Sequence, residues 1–164
     1  MKKHIYFLIS FVLILLDQIS KYIIRIQVPN FHSIAVIGNF FKITHLQNTG
    51  AAFSLSFGSL LLNKIIFLTV TLLVLIVFII LLWKSNSKFN SLIYSLIIAG
   101  ATGNFIDRLT MGSVTDFLDF DFPDFIIQRW PVFNLADSTI VIAMALLIYG
   151  EFFINNKNDS KEDK

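Results

Sequence analysis

The sequence predicts an all-α polytopic membrane protein, four transmembrane helices with a small extracytoplasmic β-element. Three observations point there. The 164 residues are 55% apolar and 15% charged, with 18 phenylalanines, a composition too apolar for a soluble domain of this size. Residues 65–83 contain no charge and only Thr69 and Thr71 as polar breaks, and a bilayer core takes roughly 20 such residues as helix. Lysines gather in the three segments that four such spans would leave on one side, as short cytoplasmic loops do.

The first span covers residues 4–24, behind Lys2 and Lys3. Its start resembles a secretory leader, but the apolar run ends in D-Q-I-S-K (17–21) instead of a small-residue cleavage site, so an uncleaved helix is expected. Asp17 and Lys21 stand at i, i+4 and can pair along one side of that helix. Residues 25–63 form the first outer connection. Within it F-F-K-I-T-H-L (40–46) alternates apolar and polar, which suits a short strand at the membrane surface. N-T-G-A-A-F (48–53) follows as turn chemistry, with Asn48 and Gly50 shaping a bend.

The second span, residues 65–83, reads as featureless, and Lys84 and Lys88 mark a short cytoplasmic connector. The third, residues 91–108, ends in Asn104, Asp107 and Arg108; Asp107 and Arg108 are neighbours whose charges balance locally, which favours a supporting role. The second outer connection, 109–131, is acidic through Asp116, Asp119, Asp121 and Asp124. Phe117, Phe120, Phe122, Phe125, Trp130 and Phe133 stand among and beyond these, as expected of an aromatic layer at the headgroups. A fourth span over 132–154 places Asp137 one to two turns, roughly 8 Å, below its start at 1.5 Å per residue. Residues 1–154 make one membrane-embedded domain, and the polar tail 155–164 is expected to be disordered and cytoplasmic.

With both termini cytoplasmic, Asp17, Gln18, Lys21, Asn104, Asp107, Arg108, Asn134 and Asp137 fall near the outer face, and only Glu151 sits near the inner edge. Polar groups that merely glue helices together have no reason to gather at one leaflet, whereas a polar pocket opening outward collects them there. Asp116 and Asp137 have no basic neighbour in sequence. Two carboxylates brought close in a partly dry site cannot both ionise cheaply, so one keeps a proton and the pair can serve as base and acid. That is what aspartyl peptide hydrolysis requires, with no metal or organic cofactor. The absence of cysteine excludes disulfides and thiolate chemistry. His4, His32 and His45 lack ligand spacing, and no serine-nucleophile motif is present. A proton-coupled transporter is the alternative, but it predicts acidic groups along the full depth. A structural assembly protein predicts small-residue packing faces, of which Gly100, Ala101 and Gly103 offer a hint.

Spacing alone does not bring Asp116 and Asp137 together across 21 residues. The ordered set D-Q-I-S-K (17–21), N-T-G-A-A-F (48–53), G-N-F-I-D-R (103–108), G-S-V-T-D-F (112–117) and F-N-L-A-D-S (133–138) resembles the bacterial lipoprotein signal peptidase family, signal peptidase II. The resemblance implies a membrane aspartyl endopeptidase of the bacterial cytoplasmic membrane. Such an enzyme cuts prolipoproteins before a diacylglyceryl-modified cysteine. It further implies that Asp116 and Asp137 are the catalytic dyad, with Asp17, Lys21, Asn48, Gly50, Asn104, Asp107, Arg108 and Asn134 shaping or supporting the site. A mobile second outer loop is also implied. The expected partners are diacylglyceryl-modified prolipoproteins, membrane lipids and globomycin-type inhibitors; no nucleic acid is expected, and a monomer suffices.

Overall fold

The computed structural model describes residues 2–50, 59–122 and 130–155. Each long apolar run forms a helix because hydrocarbon leaves backbone N–H and C=O groups no partner outside the segment. The helices are α1 (His4–Gln27), α2 (Leu60–Lys84), α3 (Lys88–Met111) and α4 (Leu135–Tyr149), and α4 continues as a π-helical turn, Gly150–Asn155. All four are long and apolar enough to cross a membrane. The spans therefore exceed the expected ones at several ends, because capping by polar side chains carries them past the apolar runs. Ser59 Oγ accepts the Leu62 N–H at the start of α2, and Ser87 Oγ accepts the Asn90 N–H at the start of α3. Gly112, with φ 77°, closes α3 in the left-handed conformation that glycine favours.

The helix α3 is central and touches α1, α2 and α4. Over half of its membrane-spanning window is buried, against 11% for α2, so α3 carries small and polar residues where α2 is apolar from Ile65 to Trp83 apart from Thr69 and Thr71. Gly100 and Gly103 make the close approach of α4 possible. A Cβ on Gly100 would stand 2.4 Å from the Ala136 carbonyl oxygen, and one on Gly103 would stand 2.5 Å from Asp17 Oδ2.

Among the described residues three strands, not one, make the β-element: β1 (Ser33–Ile37), β2 (Phe41–Asn48) and β3 (Val114–Phe120), antiparallel in the order β1-β2-β3. Ser33 faces Thr44 between β1 and β2, and Phe41 faces Phe120 while Asn48 faces Val114 between β2 and β3. The expected strand at 40–46 is the middle one. β3 does not read as a strand because its residues alternate only partly; Val114 through Phe117 are buried on both faces. The sheet sits on the C-terminal end of α1, where Ile24, Val28 and Phe117 form a core cluster with Ile43, Leu118 and Leu135 around it. Phe117 is thus a core residue and not part of a headgroup layer. Phe120 stacks on Phe41 at 4.6 Å and on Phe133 at 5.9 Å between ring centroids. Asp124, Phe125, Ala51, Ala52, Phe53, the 123–129 part of the second outer connection expected to be mobile, and the tail from 156 onward lie outside the described residues.

Candidate active site

Asp116 and Asp137 reach the same place by two local devices. β3 presents Asp116 at its centre, 4% exposed and in register with Leu46 of β2. Beyond Phe120 the chain returns to the same strand. Phe117 and Leu118 N–H both donate to the Phe133 carbonyl, at 2.9 and 2.7 Å, and Phe133 N–H donates back to Leu118 at 3.1 Å. The residue after that clasp is Asn134, the N-cap of α4. Its Oδ1 accepts the Asp137 N–H at 2.9 Å while Asp137 Oδ2 accepts the Asn134 N–H at 3.3 Å, a reciprocal capping box. Asp137 therefore lies in the first turn of α4 and not one to two turns down. The helix begins at Leu135, because the cap stops it there.

Two buried amides connect the carboxylates. Asn134 Nδ2 donates to Asp116 Oδ1 at 2.7 Å and to Asn104 Oδ1 at 3.2 Å; Asn104 Nδ2 donates to Asp137 Oδ1 at 2.7 Å. The orientation of Asn104 has a physical cause. Its Oδ1 stands 3.0 Å from Lys21 Nζ, and an ammonium can only donate, so the NH₂ end turns to the carboxylate. Asn48 Nδ2 supplies a further donor to Asp116 Oδ2 at 3.1 Å, while its own Oδ1 accepts the Gly50 N–H at 3.0 Å. Asn48 thus ends β2 as well as shaping the expected bend. Burial pushes the Asp116 carboxyl up to about 6, helped by the negative charge of Asp137 and opposed by the hydrogen bonds from Asn48 and Asn134 and by the Lys21 charge.

The charged support is built differently from the sequence expectation. Asp107 makes no ion pair with Arg108 among the described residues, because consecutive helix positions point to different sides of α3, and only its longer-range charge reaches Arg108. Asp107 meets Lys21 at 3.4 Å and Arg25 at 3.5 Å, and its Oδ2 accepts the Thr115 N–H at 3.0 Å. Asp17 pairs with Lys21 at 2.9 Å as its i, i+4 spacing suggests, and accepts the Ala136 N–H at 2.9 Å, tying α1 to α4. Arg108 instead donates to the Gly50 carbonyl at 3.2 Å and lies over the Phe67 ring at 5.1 Å. All ten expected site residues thus fall in one connected region. Gln18, grouped with them from its depth in the first span, joins them, as do Arg25, Thr115 and Gln47, which were unforeseen. Gln18 Nε2 donates to the Gly103 carbonyl at 3.0 Å, and Gln47 Nε2 to Thr115 Oγ1 at 3.2 Å. Polar residues alternating along β2 and β3 were the available signal for Gln47 and Thr115, and recognising it needed the pairing of those strands.

A cavity of about 820 Å³ opens on this region. Asn48, Asn104, Arg108, Asp116 and Asp137 form its polar end, and Phe120, Phe122, Trp130, Phe133, Ile140 and Val141 line much of the rest. A polar corner on an apolar cleft suits a substrate that carries both a peptide and hydrocarbon.

A family model described as signal peptidase (SPase) II matches residues 9–153. The chain belongs to the signal peptidase II family. Curated proteins named lipoprotein signal peptidase agree along nearly the whole length. The one from Enterococcus faecalis is 40% identical over 98% of this chain and 94% of its own, and the one from Borreliella afzelii is 41% identical over 92% and 90%. Two solved bacterial membrane enzymes superpose with TM-scores of 0.80. They are 32% and 33% identical, covering 98% and 92% of this chain and 92% and 94% of theirs. This signal peptidase II family member is accordingly a multi-pass membrane peptidase whose four helices and small sheet match solved enzymes.

Proposed function

We propose that the protein is a membrane aspartyl endopeptidase that removes signal peptides from prolipoproteins, cutting before a diacylglyceryl-modified cysteine, with Asp116 and Asp137 as its dyad. The observation that carries this reading is the amide of Asn134, in hydrogen-bond contact with Asp116 through Nδ2 and with the Asp137 backbone through Oδ1, at the polar corner of one cavity. In the proposed mechanism Asp116 holds the proton of the pair. Asp137, with Asn104 on its Oδ1, takes a proton from the attacking water. Asp116 donates to the developing oxyanion; as the tetrahedral intermediate collapses, the proton held by Asp137 passes to the leaving amine and one hydroxyl of the diol returns its proton to Asp116, which restores the starting state of the pair. Arg108 supplies fixed positive charge at the cavity wall, and the apolar lining receives the diacylglyceryl chains.

Lysine placement supports both termini and the Lys84–Lys88 connector being cytoplasmic, in the bacterial inner membrane, with the sheet and dyad toward the extracytoplasmic face. A proton-coupled transporter fits less well, because Asp17, Asp107, Asp116 and Asp137 form one cluster with no series across the depth. The test is cleavage of a synthetic prolipoprotein peptide by the purified protein in detergent, with and without the diacylglyceryl group. The expected result is a single cut before the modified cysteine and at least tenfold slower cutting of the unmodified peptide; equal rates on both would contradict the lipid-dependent reading.

A further inference from the structure

The run of α2 from Ile65 to Trp83 carries no charge, yet one of its residues touches the polar corner. The guanidinium carbon of Arg108 lies 5.1 Å from the centroid of the Phe67 ring, within the range of a cation–π contact. From α2 the core clusters take Leu75 and Leu82, with Val74 and Phe78 packed against them, all further along the helix than Phe67. Arg108 also donates to the Gly50 carbonyl at 3.2 Å. One hydrogen bond fixes one edge of a planar guanidinium and leaves its tilt open. A ring face under the guanidinium carbon adds a second contact that limits its movement and, using none of the N–H donors, leaves the remaining edge available.

We infer that Phe67 is a positioning residue for the peptidase reaction: it is the platform that holds the Arg108 guanidinium at the cavity wall beside Asp116 and Asp137. The inference rests on the proposed peptidase reading. The class of group served by an Arg108 held in this way is an oxygen anion or peptide carbonyl at the dyad, which the free edge can meet with in-plane hydrogen bonds. In a site shielded from water a cation–π contact lies at the upper end of its range, so its loss is expected to be visible in rate. This also gives α2 a part in the site beyond its packing on α3.

The test is a double-mutant cycle in detergent on wild type, Phe67→Leu, Arg108→Gln and the double variant, with Phe67→Tyr as the conservative control. The readouts are kcat/KM on the lipidated peptide and the melting temperature. The expected result is about a tenfold loss of kcat/KM in Phe67→Leu, near wild-type rate in Phe67→Tyr, and no further loss from Phe67→Leu once Arg108 is Gln. The melting temperatures should show the same non-additivity, which decides the matter if Arg108→Gln is too slow to measure. Equal effects of Phe67→Leu in both backgrounds, or none in either, would overturn the inference and leave Phe67 as packing. A wild type that melts cooperatively but does not cut would sink the peptidase reading, while the melting cycle would still report on the Phe67–Arg108 coupling.

Discussion

Asp116 shows how its surroundings set one carboxyl's chemistry. It is 4% exposed, and burial together with the Asp137 charge pushes it up to about 6 while Asn48 and Asn134 pull the other way through hydrogen bonds to the charged form. Because the Asp137 charge is among the causes that raise it, its titration is the step at which the pair loses its last proton. The singly protonated pair therefore declines as pH rises through about 6 in the free enzyme, and kcat/KM, which reports the free enzyme, should fall on that alkaline limb. Asn48→Ala removes a donor that favours the ionised form. The limb is then expected to move to higher pH by a few tenths of a unit or more. A limb that stays put or moves down would show that Asn48 does not govern Asp116. None of this tuning is visible in sequence, since Asn48 and Asp116 meet only through the pairing of β2 with β3.

At the scale of elements, a buried ion cluster joins three helices and the sheet. Lys21 has no exposure and stands between Asp17 and Asp107, while Asp17 also caps the Ala136 N–H and Asp107 the Thr115 N–H. Removing one partner of a buried pair typically costs about 3–5 kcal/mol, because the other charge is left uncompensated. Lys21→Met should lower the melting temperature in detergent sharply, and adding Asp17→Asn should restore part of the loss. A double variant as unstable as the sum of the two singles would show that the charges act independently. The Asp17–Lys21 half of this cluster was legible from helical spacing. The Asp107 half was not: adjacency to Arg108 suggested a pair that helix geometry forbids, and the true partners lie on α1, more than eighty positions away. Likewise α4 was placed by its apolar run, while its true start follows from the Asn134 cap.

For the whole molecule, hydropathy and lysine placement were enough for four spans, because the bilayer admits so few backbone solutions. The sheet was only partly legible. Its strands are short, β1 is wholly exposed and β3 largely buried, so neither shows the clean alternation of a half-buried strand. What the assembled fold adds is convergence. The helix α3 brings Asn104 and Arg108, β3 brings Asp116, α4 brings Asn134 and Asp137, and α1 brings the Lys21 charge to one polar corner. The central claim is that the two carboxylates act as one unit. The most direct test is the single-turnover cutting rate of the lipidated peptide by wild type, Asp116→Asn, Asp137→Asn and the double variant, each first shown to melt cooperatively. The account predicts a loss of at least about a thousandfold in each single variant and little further loss in the double, since members of one catalytic unit are non-additive; a folded single variant that keeps more than about a tenth of the wild-type rate would contradict it.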